Sequence, residues 1–178
     1  LKMIKRINDI ILSTLLLILF LPIILIISLF IKISSKGPVI HWSKRIGFKN
    51  SVFYMPKFRT MKIETPDNIA THLLLNTKEH ITPIGNFLRK TSLDELPQLI
   101  CVIVGYMSLV GPRPALYNQY DLIDLRQKKN IHMFLPGITG WAQINGRDTI
   151  SIKEKVKLDN FYCNNNNILL DYKILILT

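Results

Sequence analysis

The chain has few acidic residues, few cysteines and no internal repeat. Its 12 aspartates and glutamates stand against 23 lysines and arginines, a formal net charge of +11. This excess predicts an anionic partner, such as a phosphorylated substrate, an anionic lipid or a nucleic acid. The two cysteines, Cys101 and Cys163, have no metal-ligand spacing, and the four histidines form no catalytic pattern. A reducing compartment is therefore expected, and Ser/His/Asp or Cys/His chemistry has little support.

Charge is absent from a long apolar run near the N-terminus. Residues 10–31 contain no charged side chain, and 22 residues are enough to span a bilayer as a helix. Pro22 lies in the middle of this run and favours a kink. Basic residues flank both ends, and the positive-inside rule would place both flanks in the cytoplasm. Two alternatives follow: a signal anchor that spans the membrane, or a re-entrant helix that breaks at Pro22 and returns.

The rest of the chain alternates short strand patterns with helical ones. Residues 39–42 and 52–55 are rich in β-branched and aromatic residues and flank the turn-forming segment 47–51, which predicts a β-hairpin. Helical patterns cover residues 67–80, 115–130, 151–162 and 168–177, and the last could be a core helix or an amphipathic helix in the membrane interface. The predicted fold class is α+β, mainly helical with a small β-hairpin.

Two adjacent carboxylates, Asp94 and Glu95, lie in an apolar frame that reads as a helix opened by Ser92. Neighbouring helical side chains point about 100° apart, so the pair suits a division of roles in which one attacks or transfers and the other holds a metal. A position near a helix N-terminus predicts a lowered carboxylate pKa, which keeps a nucleophile ionised. Ser92 and Glu95 also match a capping box, a purely structural alternative for Glu95.

Several cations surround this pair in the sequence and could bind phosphate or simply form a solvated face. The candidates are Lys57, Arg59, Arg89, Arg113 and Arg147. Arginine suits bidentate phosphate contacts, and Mg²⁺ could screen the charges of a carboxylate and a phosphate with only one or two protein ligands. The residues therefore permit metal-assisted phosphoryl transfer at a membrane surface without demanding it.

Ten short motifs, in order over nearly the whole chain, resemble the bacterial sugar transferase family, the small monotopic phosphoglycosyl transferases. They include Lys5-Arg6-x-x-Asp9, Arg45-x-Gly47, Lys57-Phe-Arg59-Thr-Met61, Ser92-Leu-Asp94-Glu95-Leu-Pro97-Gln98, Gly111-Pro-Arg113-Pro114, Pro136-Gly-Ile-Thr-Gly140, Gln143-x-Asn-Gly-Arg147 and Asp171-x-Lys-Ile174. The resemblance implies transfer of a sugar 1-phosphate from a UDP-sugar to polyprenyl phosphate, usually undecaprenyl phosphate. UMP is released, and the product initiates glycoconjugate synthesis.

The resemblance also implies roles for individual residues. Asp94 would be the nucleophile that forms a covalent phosphosugar intermediate, and Glu95 the Mg²⁺ ligand. The substrate- and phosphate-binding set would be Lys57, Arg59, Arg89, Arg113, Arg147 and Asp159, with Arg89 near the lipid phosphate and Arg147 on the nucleotide side. Residues 1–36 would form a re-entrant anchor and residues 37–178 a cytoplasmic catalytic domain on the bacterial inner membrane.

Some positions depart from the family pattern. Leu21 replaces the serine expected before Pro22, and Ser43 replaces a glutamine, which leaves the bend and the pocket near the hairpin open to change. A membrane-tethered nucleic-acid binder and a non-catalytic scaffold are the competing functions. The basic residues are dispersed among Gly/Pro turns, so no nucleic-acid partner is expected. A homodimer at the membrane interface is plausible, and the sequence does not name the sugar.

Overall fold

The protein is described here from a computed structural model covering residues 2–65, 80–146 and 149–178. The helix predicted over residues 67–80 lies outside these ranges except for His80, and so does the predicted site residue Arg147.

The described chain is a mainly helical α+β fold with two small sheets, which confirms the predicted class. The strands are β1 Ile40–Ile46, β2 Val52–Phe58, β3 Ser108–Val110 and β4 Gly137–Thr139. The helices are α1 Lys2–Ser34, α2 Gly85–Thr91, α3 Gln98–Val104, α4 Tyr120–Lys128, α5 Trp141–Ile144, α6 Ile152–Asn165 and α7 Ile168–Leu177. Short 3₁₀ turns occupy Phe48–Asn50, Leu93–Glu95 and Ile131–Met133.

Strands β1 and β2 form the predicted antiparallel hairpin, with Ile40 opposite Phe58 and Ile46 opposite Val52. Pro56 lies inside β2, opposite Trp42. A proline is tolerated there because each strand of a two-stranded sheet has a free edge, where no ladder hydrogen bond is required. The strand therefore continues far enough to carry Lys57.

The main core lies where α3, β3, α4, α6 and α7 meet. Met107, Tyr162 and Ile174 are among its buried side chains. Helix α3 buries Leu99, Cys101 and Val102 in this core, whereas Ile100 and Val104 are exposed. Helix α3 has only two turns, so the hydrophobic spacing of its residues gave little information about its orientation.

Helix α1 is long and apolar enough to cross a membrane. Its helical structure continues through Pro22, so the predicted break at that residue is wrong. Most of its large apolar side chains are exposed. The buried positions Asp9, Ser13, Ile27 and Ile31 are separated by multiples of about one helical turn. Helix α1 therefore lies along the rest of the protein with one narrow face and leaves the other faces uncovered.

The N-terminal end of α1 is fixed by its polar residues. Lys5 forms an ion pair with Asp171 of α7 at 2.6 Å. Arg6 donates hydrogen bonds of 2.6 and 3.0 Å to main-chain carbonyls of Val102 and Ile103 at the end of α3. Asp9 accepts a hydrogen bond from the Ser108 hydroxyl at 2.7 Å. All three side chains thus bind the helix to the globular part, residues 37–178. The two basic ones were predicted only as a flank of the membrane segment.

The C-terminal end of α1 is held by Arg59. Its guanidinium donates to the main-chain carbonyls of Ser35 and Lys36 and to the Ser35 hydroxyl. Gly37 has a φ of 116°, and a Cβ at this position would lie 2.7 Å from the Arg59 guanidinium. A glycine is thus needed both for the turn and for the contact. Both ends of α1 are anchored to the same globular part.

A buried ion pair joins α4 to α6. Arg126 donates two hydrogen bonds to one carboxylate oxygen of Asp159, at 2.6 and 3.0 Å, and the Asp159 side chain is 2% exposed. Arg126 also donates to the main-chain carbonyl of Arg113 at 2.7 Å. Burial raises the pKa of Asp159 more than the charge of Arg126 lowers it, so this pKa lies above its usual value. The pair ties the loop that carries Arg113 to the core.

We expect Arg126→Met to lower the free energy of unfolding by about 3 kcal/mol, because it leaves the buried Asp159 carboxylate unpaired. For a chain of this size that is a fall in melting temperature of roughly 6 to 12 °C. The matched control is the double variant Arg126→Met/Asp159→Leu, which removes both charges and should recover most of the loss. Thermal melting of the detergent-solubilised protein measures both. A double variant that melts no higher than Arg126→Met would show that the unpaired Asp159 carboxylate does not cause the loss of stability.

Candidate active site

A cleft of about 880 Å³ lies between the β1–β2 hairpin, the α2–α3 segment and the loop after β3. This volume is typical of small-molecule sites. Among its described residues are two acidic side chains, Asp94 and Glu95, and six cationic ones: Arg45, Lys57, Arg89, Lys90, Arg113 and Lys155. Leu16 and Phe20 of helix α1 line one side. The central cleft is therefore strongly positive and borders the apolar helix.

The local backbone that presents Asp94 differs from the predicted helix start. Helix α2 ends at Thr91, Ser92 adopts a left-handed conformation with φ 57°, and Leu93–Glu95 form a 3₁₀ turn before α3 begins at Gln98. The Ser92 side chain makes no capping hydrogen bond. The capping-box explanation of Glu95 is therefore wrong: an N-cap residue normally has extended backbone, which Ser92 lacks.

Glu95 is instead paired with Arg113. The guanidinium donates to both carboxylate oxygens, at 2.6 and 3.4 Å. Such fork-like pairing fixes the orientation of both groups. Arg113 was predicted to contact phosphate, and its side chain remains 35% exposed to the cleft, so it can also approach a ligand.

Close glycine contacts fix the loop that carries Arg113. The Gly111 N–H donates to the Thr139 carbonyl at 2.9 Å, and the Gly137 N–H donates to the Pro112 carbonyl at 3.0 Å. A Cβ at Gly137 would lie 2.1 Å from the Gly111 nitrogen, so no larger residue fits. The Gly-Pro-Arg-Pro and Pro-Gly-Ile-Thr-Gly motifs thus pack directly against each other, which directs Arg113 toward Glu95.

Burial dominates the ionisation of Asp94. Desolvation, and next the charge of Glu95, raise the pKa of Asp94 to about 6, against the lowering effects of Lys57, Arg89 and Arg113. The predicted lowering of its pKa is therefore wrong, because loss of hydration outweighs the favourable charges around it. With a pKa of about 6 the carboxylate is still mostly ionised at pH 7, and it is poorly hydrated, which favours nucleophilic attack.

The pKa of Lys57 is shifted in the opposite direction. Burial and then Arg45 lower the pKa of Lys57 to about 8, while Asp94 raises it. Strand β2 carries Lys57 toward the turn that holds Asp94. A lysine with this pKa is mostly charged at pH 7 and loses its charge at mildly alkaline pH.

The structure brings together five of the predicted site residues and separates two. The central cleft is lined by Asp94, Glu95, Lys57, Arg89 and Arg113. Arg59 does not line it, because its guanidinium is buried against the end of α1. Asp159 does not line it either, because Arg126 takes up its carboxylate. Both residues support the site from outside, so their predicted contacts with substrate are corrected.

Sequence reasoning did not assign several residues of the central cleft. Arg45 lines it while donating to the Pro114 carbonyl at 3.2 Å, and its Arg-x-Gly motif was the only signal for it. Lys155, Gln98 and Gln143 also line the cleft. Gln98 and Gln143 stand in two of the family motifs without an assigned role, whereas no motif contains Lys155. Only the fold shows that all three line the cleft.

The carboxylates fit a magnesium ion shared with a substrate. No group of three or more His, Cys, Asp or Glu side chains that could hold a metal ion occurs in the described ranges. Mg²⁺ needs no such cage when substrate phosphates complete its coordination, since one or two carboxylates then suffice. Asp94 and Glu95 supply that number beside a phosphate-attracting surface.

Comparisons with known proteins agree on one family. The family model described as bacterial sugar transferase matches residues 1–178. The chain is 44% identical to the UDP-glucose:undecaprenyl-phosphate glucose-1-phosphate transferase of Escherichia coli (strain K12), over 99% of this chain but 39% of that protein. It is 41% identical to the uncharacterized sugar transferase EpsL of Bacillus subtilis (strain 168), over 98% of this chain and 84% of that protein.

A third relative is the exopolysaccharide production protein ExoY of Sinorhizobium fredii (strain NBRC 101917 / NGR234). It is 34% identical over 98% of this chain and 83% of its own length. The chain thus matches more than four fifths of these two shorter relatives and about two fifths of the E. coli protein. On the match over all 178 residues, the chain belongs to the bacterial sugar transferase family.

Proposed function

We propose that this chain transfers a sugar 1-phosphate from a UDP-sugar to undecaprenyl phosphate and releases UMP. The observation that carries the proposal is Asp94, a desolvated carboxylate in a cationic cleft that borders a membrane-length apolar helix. The sugar is proposed to be glucose, because the E. coli relative is named for UDP-glucose.

In the first half of the reaction, an Asp94 carboxylate oxygen attacks the phosphorus that carries the sugar. A bond forms between that oxygen and phosphorus, the phosphorus–oxygen bond to UMP breaks, and UMP leaves with the electron pair. In the second half, an oxygen of the lipid phosphate attacks the same phosphorus. The bond to Asp94 then breaks, which regenerates the carboxylate and yields polyprenyl diphosphate sugar.

The cationic side chains make attack by an anion on an anion feasible. Lys57, Arg89 and Arg113 all act on the ionisation of Asp94, so they lie within electrostatic reach of the reacting phosphorus. In a low-dielectric cleft such charges stabilise the developing oxyanions more strongly than in water. We assign Lys57 and Arg113 to the diphosphate of the donor and Arg89 to the lipid phosphate.

Glu95, together with Asp94, would hold Mg²⁺ when a donor is bound. The ion would supply charge neutralisation and alignment of the phosphate oxygens. Glu95 would then contact both Arg113 and the ion, and the bidentate pairing with Arg113 holds the Glu95 carboxylate in a fixed orientation. This arrangement explains why an acidic residue is placed beside the nucleophile despite raising its pKa.

We infer that both ends of α1 lie on the same side of the membrane although the helix is uninterrupted, and that the globular part lies on the cytoplasmic face of the inner membrane. A straight helix of 33 residues is about 50 Å long, and spanning would carry one end away from the globular part. Yet both ends of α1 are attached to the globular part. Lys5 and Arg6 attach the N-terminal end, and Arg59 binds the C-terminal end. The exposed Leu169 and Ile176 of α7 would extend the apolar surface into the membrane interface.

The Asp94→Asn variant should lose UMP release from UDP-glucose by roughly 10⁴-fold or more, because an amide cannot form the intermediate. Membrane association should be unchanged. The matched control is Asp121→Asn, at an exposed position on α4. UMP release by the purified protein, with Mg²⁺ and undecaprenyl phosphate, is the measurement. Residual turnover near one hundredth of wild type would rule out Asp94 as the nucleophile.

The pH profile of kcat/KM for the UDP-sugar should be bell-shaped, because this parameter reports groups of the free enzyme. It should fall tenfold per unit below about pH 6, where the raised pKa of Asp94 allows protonation. It should fall again above about pH 8, where Lys57 loses its charge.

The Lys57→Arg variant separates the two limbs, since arginine does not titrate in this range. It should keep the acid limb and lose the alkaline one, whereas the control Lys128→Arg, at an exposed position, should keep both. An active Lys57→Arg variant with an unchanged alkaline limb would show that another group titrates there.

Topology can be tested by cysteine labelling, because both native cysteines are buried. Met3→Cys and Lys44→Cys place thiols at exposed positions on either side of the apolar run. In right-side-out spheroplasts, a membrane-impermeant maleimide should label neither variant, and permeabilisation should allow labelling of both. Labelling of Met3→Cys before permeabilisation would mean that α1 spans the membrane.

A further inference from the structure

Gln98 is an unpartnered amide in the wall of the central cleft. Its side chain is buried, with the residue 1% exposed, and neither Nε2 nor Oε1 has a hydrogen-bond partner among the described residues. Other buried polar side chains of the globular part, such as Arg126, Asp159 and Asp171, are paired. Because an unpaired buried donor or acceptor costs about 1–3 kcal/mol, Gln98 is a position where a bound ligand can recover lost hydrogen bonds.

The position of Gln98 relates it to the reacting phosphorus. It lies four residues after Asp94, across a 3₁₀ turn and the helical Leu96 and Pro97. Asp94 and Gln98 both line the central cleft. If the proposed function is correct, a sugar linked through phosphate to Asp94 is held in the same cleft as the Gln98 amide.

The chemistry of the amide identifies which part of the donor it fits. Gln98 offers N–H donors and a carbonyl acceptor in one plane. Oxygens of an ionised diphosphate only accept hydrogen bonds, so they would leave Oε1 without a donor. Sugar hydroxyl groups both donate and accept, so they satisfy both ends of the amide. The phosphates already have Lys57, Arg89 and Arg113.

We propose that Gln98 binds hydroxyl groups of the transferred sugar and so contributes to the choice of donor. This inference rests on the proposed sugar-phosphate transfer. The amide is buried and has no hydrogen-bond partner among the described residues, so hydroxyl groups of a bound sugar would supply the hydrogen bonds that it lacks. A donor that lacks the contacted hydroxyl leaves the amide unpaired and is rejected.

The test compares UDP-glucose with its 2-, 3-, 4- and 6-deoxy analogues through kcat/KM for UMP release. With the wild-type protein, at least one analogue should be poorer than UDP-glucose by roughly 10- to 100-fold. Gln98→Met keeps the length of the side chain but removes both hydrogen-bonding ends. In this variant the values of kcat/KM for the same analogue and for UDP-glucose should differ by less than about threefold. Gln127→Met, outside the central cleft on α4, is the matched control.

Gln98→Glu provides a second variant of the same shape, which keeps an acceptor and loses the donor. Gln98→Glu should also reduce discrimination against that analogue. The test therefore still works if Gln98→Met does not fold. Variants that slow UDP-glucose and every analogue by the same factor, or that keep wild-type discrimination, overturn the role of Gln98. Absence of UMP release from all donors by the wild-type protein would instead overturn the proposed function itself.

Discussion

The arrangement of the central cleft depends on keeping one carboxylate ionised where water is scarce. Burial of Asp94 raises its pKa to about 6, and the adjacent Glu95 adds to this rise. Lys57, Arg89 and Arg113 oppose it. The balance leaves a poorly hydrated anion at neutral pH, which suits nucleophilic attack on phosphorus better than a strongly stabilised carboxylate would. The cations that sustain this charge are also suited to bind the phosphates of a donor and an acceptor.

The supporting contacts all lead back to these groups. Asp159 holds Arg126, Arg126 holds the carbonyl of Arg113, and Arg113 holds Glu95 beside Asp94. Packing of Gly111 against Gly137 fixes the same loop from the other side. Helix α1, bound at both ends to the globular part, brings Leu16 and Phe20 to the cleft. Under the proposed function, a lipid-linked acceptor would approach Asp94 along this apolar side of the cleft.

The sequence predicted the fold class and the hairpin, because composition and turn residues are local signals. It also singled out Asp94 and Glu95, which line the central cleft and whose catalytic roles stay predictions. It misassigned Arg59 and Asp159, whose charges look available in the sequence but are taken up by the α1 terminus and by Arg126. It also predicted a helix-lowered pKa for Asp94, since desolvation depends on long-range packing that no local pattern records. Gln98 stood in a family motif without a predicted role, because an amide is notable only when the fold leaves it without a partner.

The most direct test of the account is the mass of the intact protein after incubation with UDP-glucose and Mg²⁺ in the absence of lipid acceptor. The account predicts a new species heavier by one hexose 1-phosphate less one water, on a peptide containing Asp94. This species should disappear when undecaprenyl phosphate is added, and Asp94→Asn should not form it. Turnover with lipid present but no covalent species on wild-type protein, or an adduct on another residue, would contradict the assignment of Asp94 as the nucleophile.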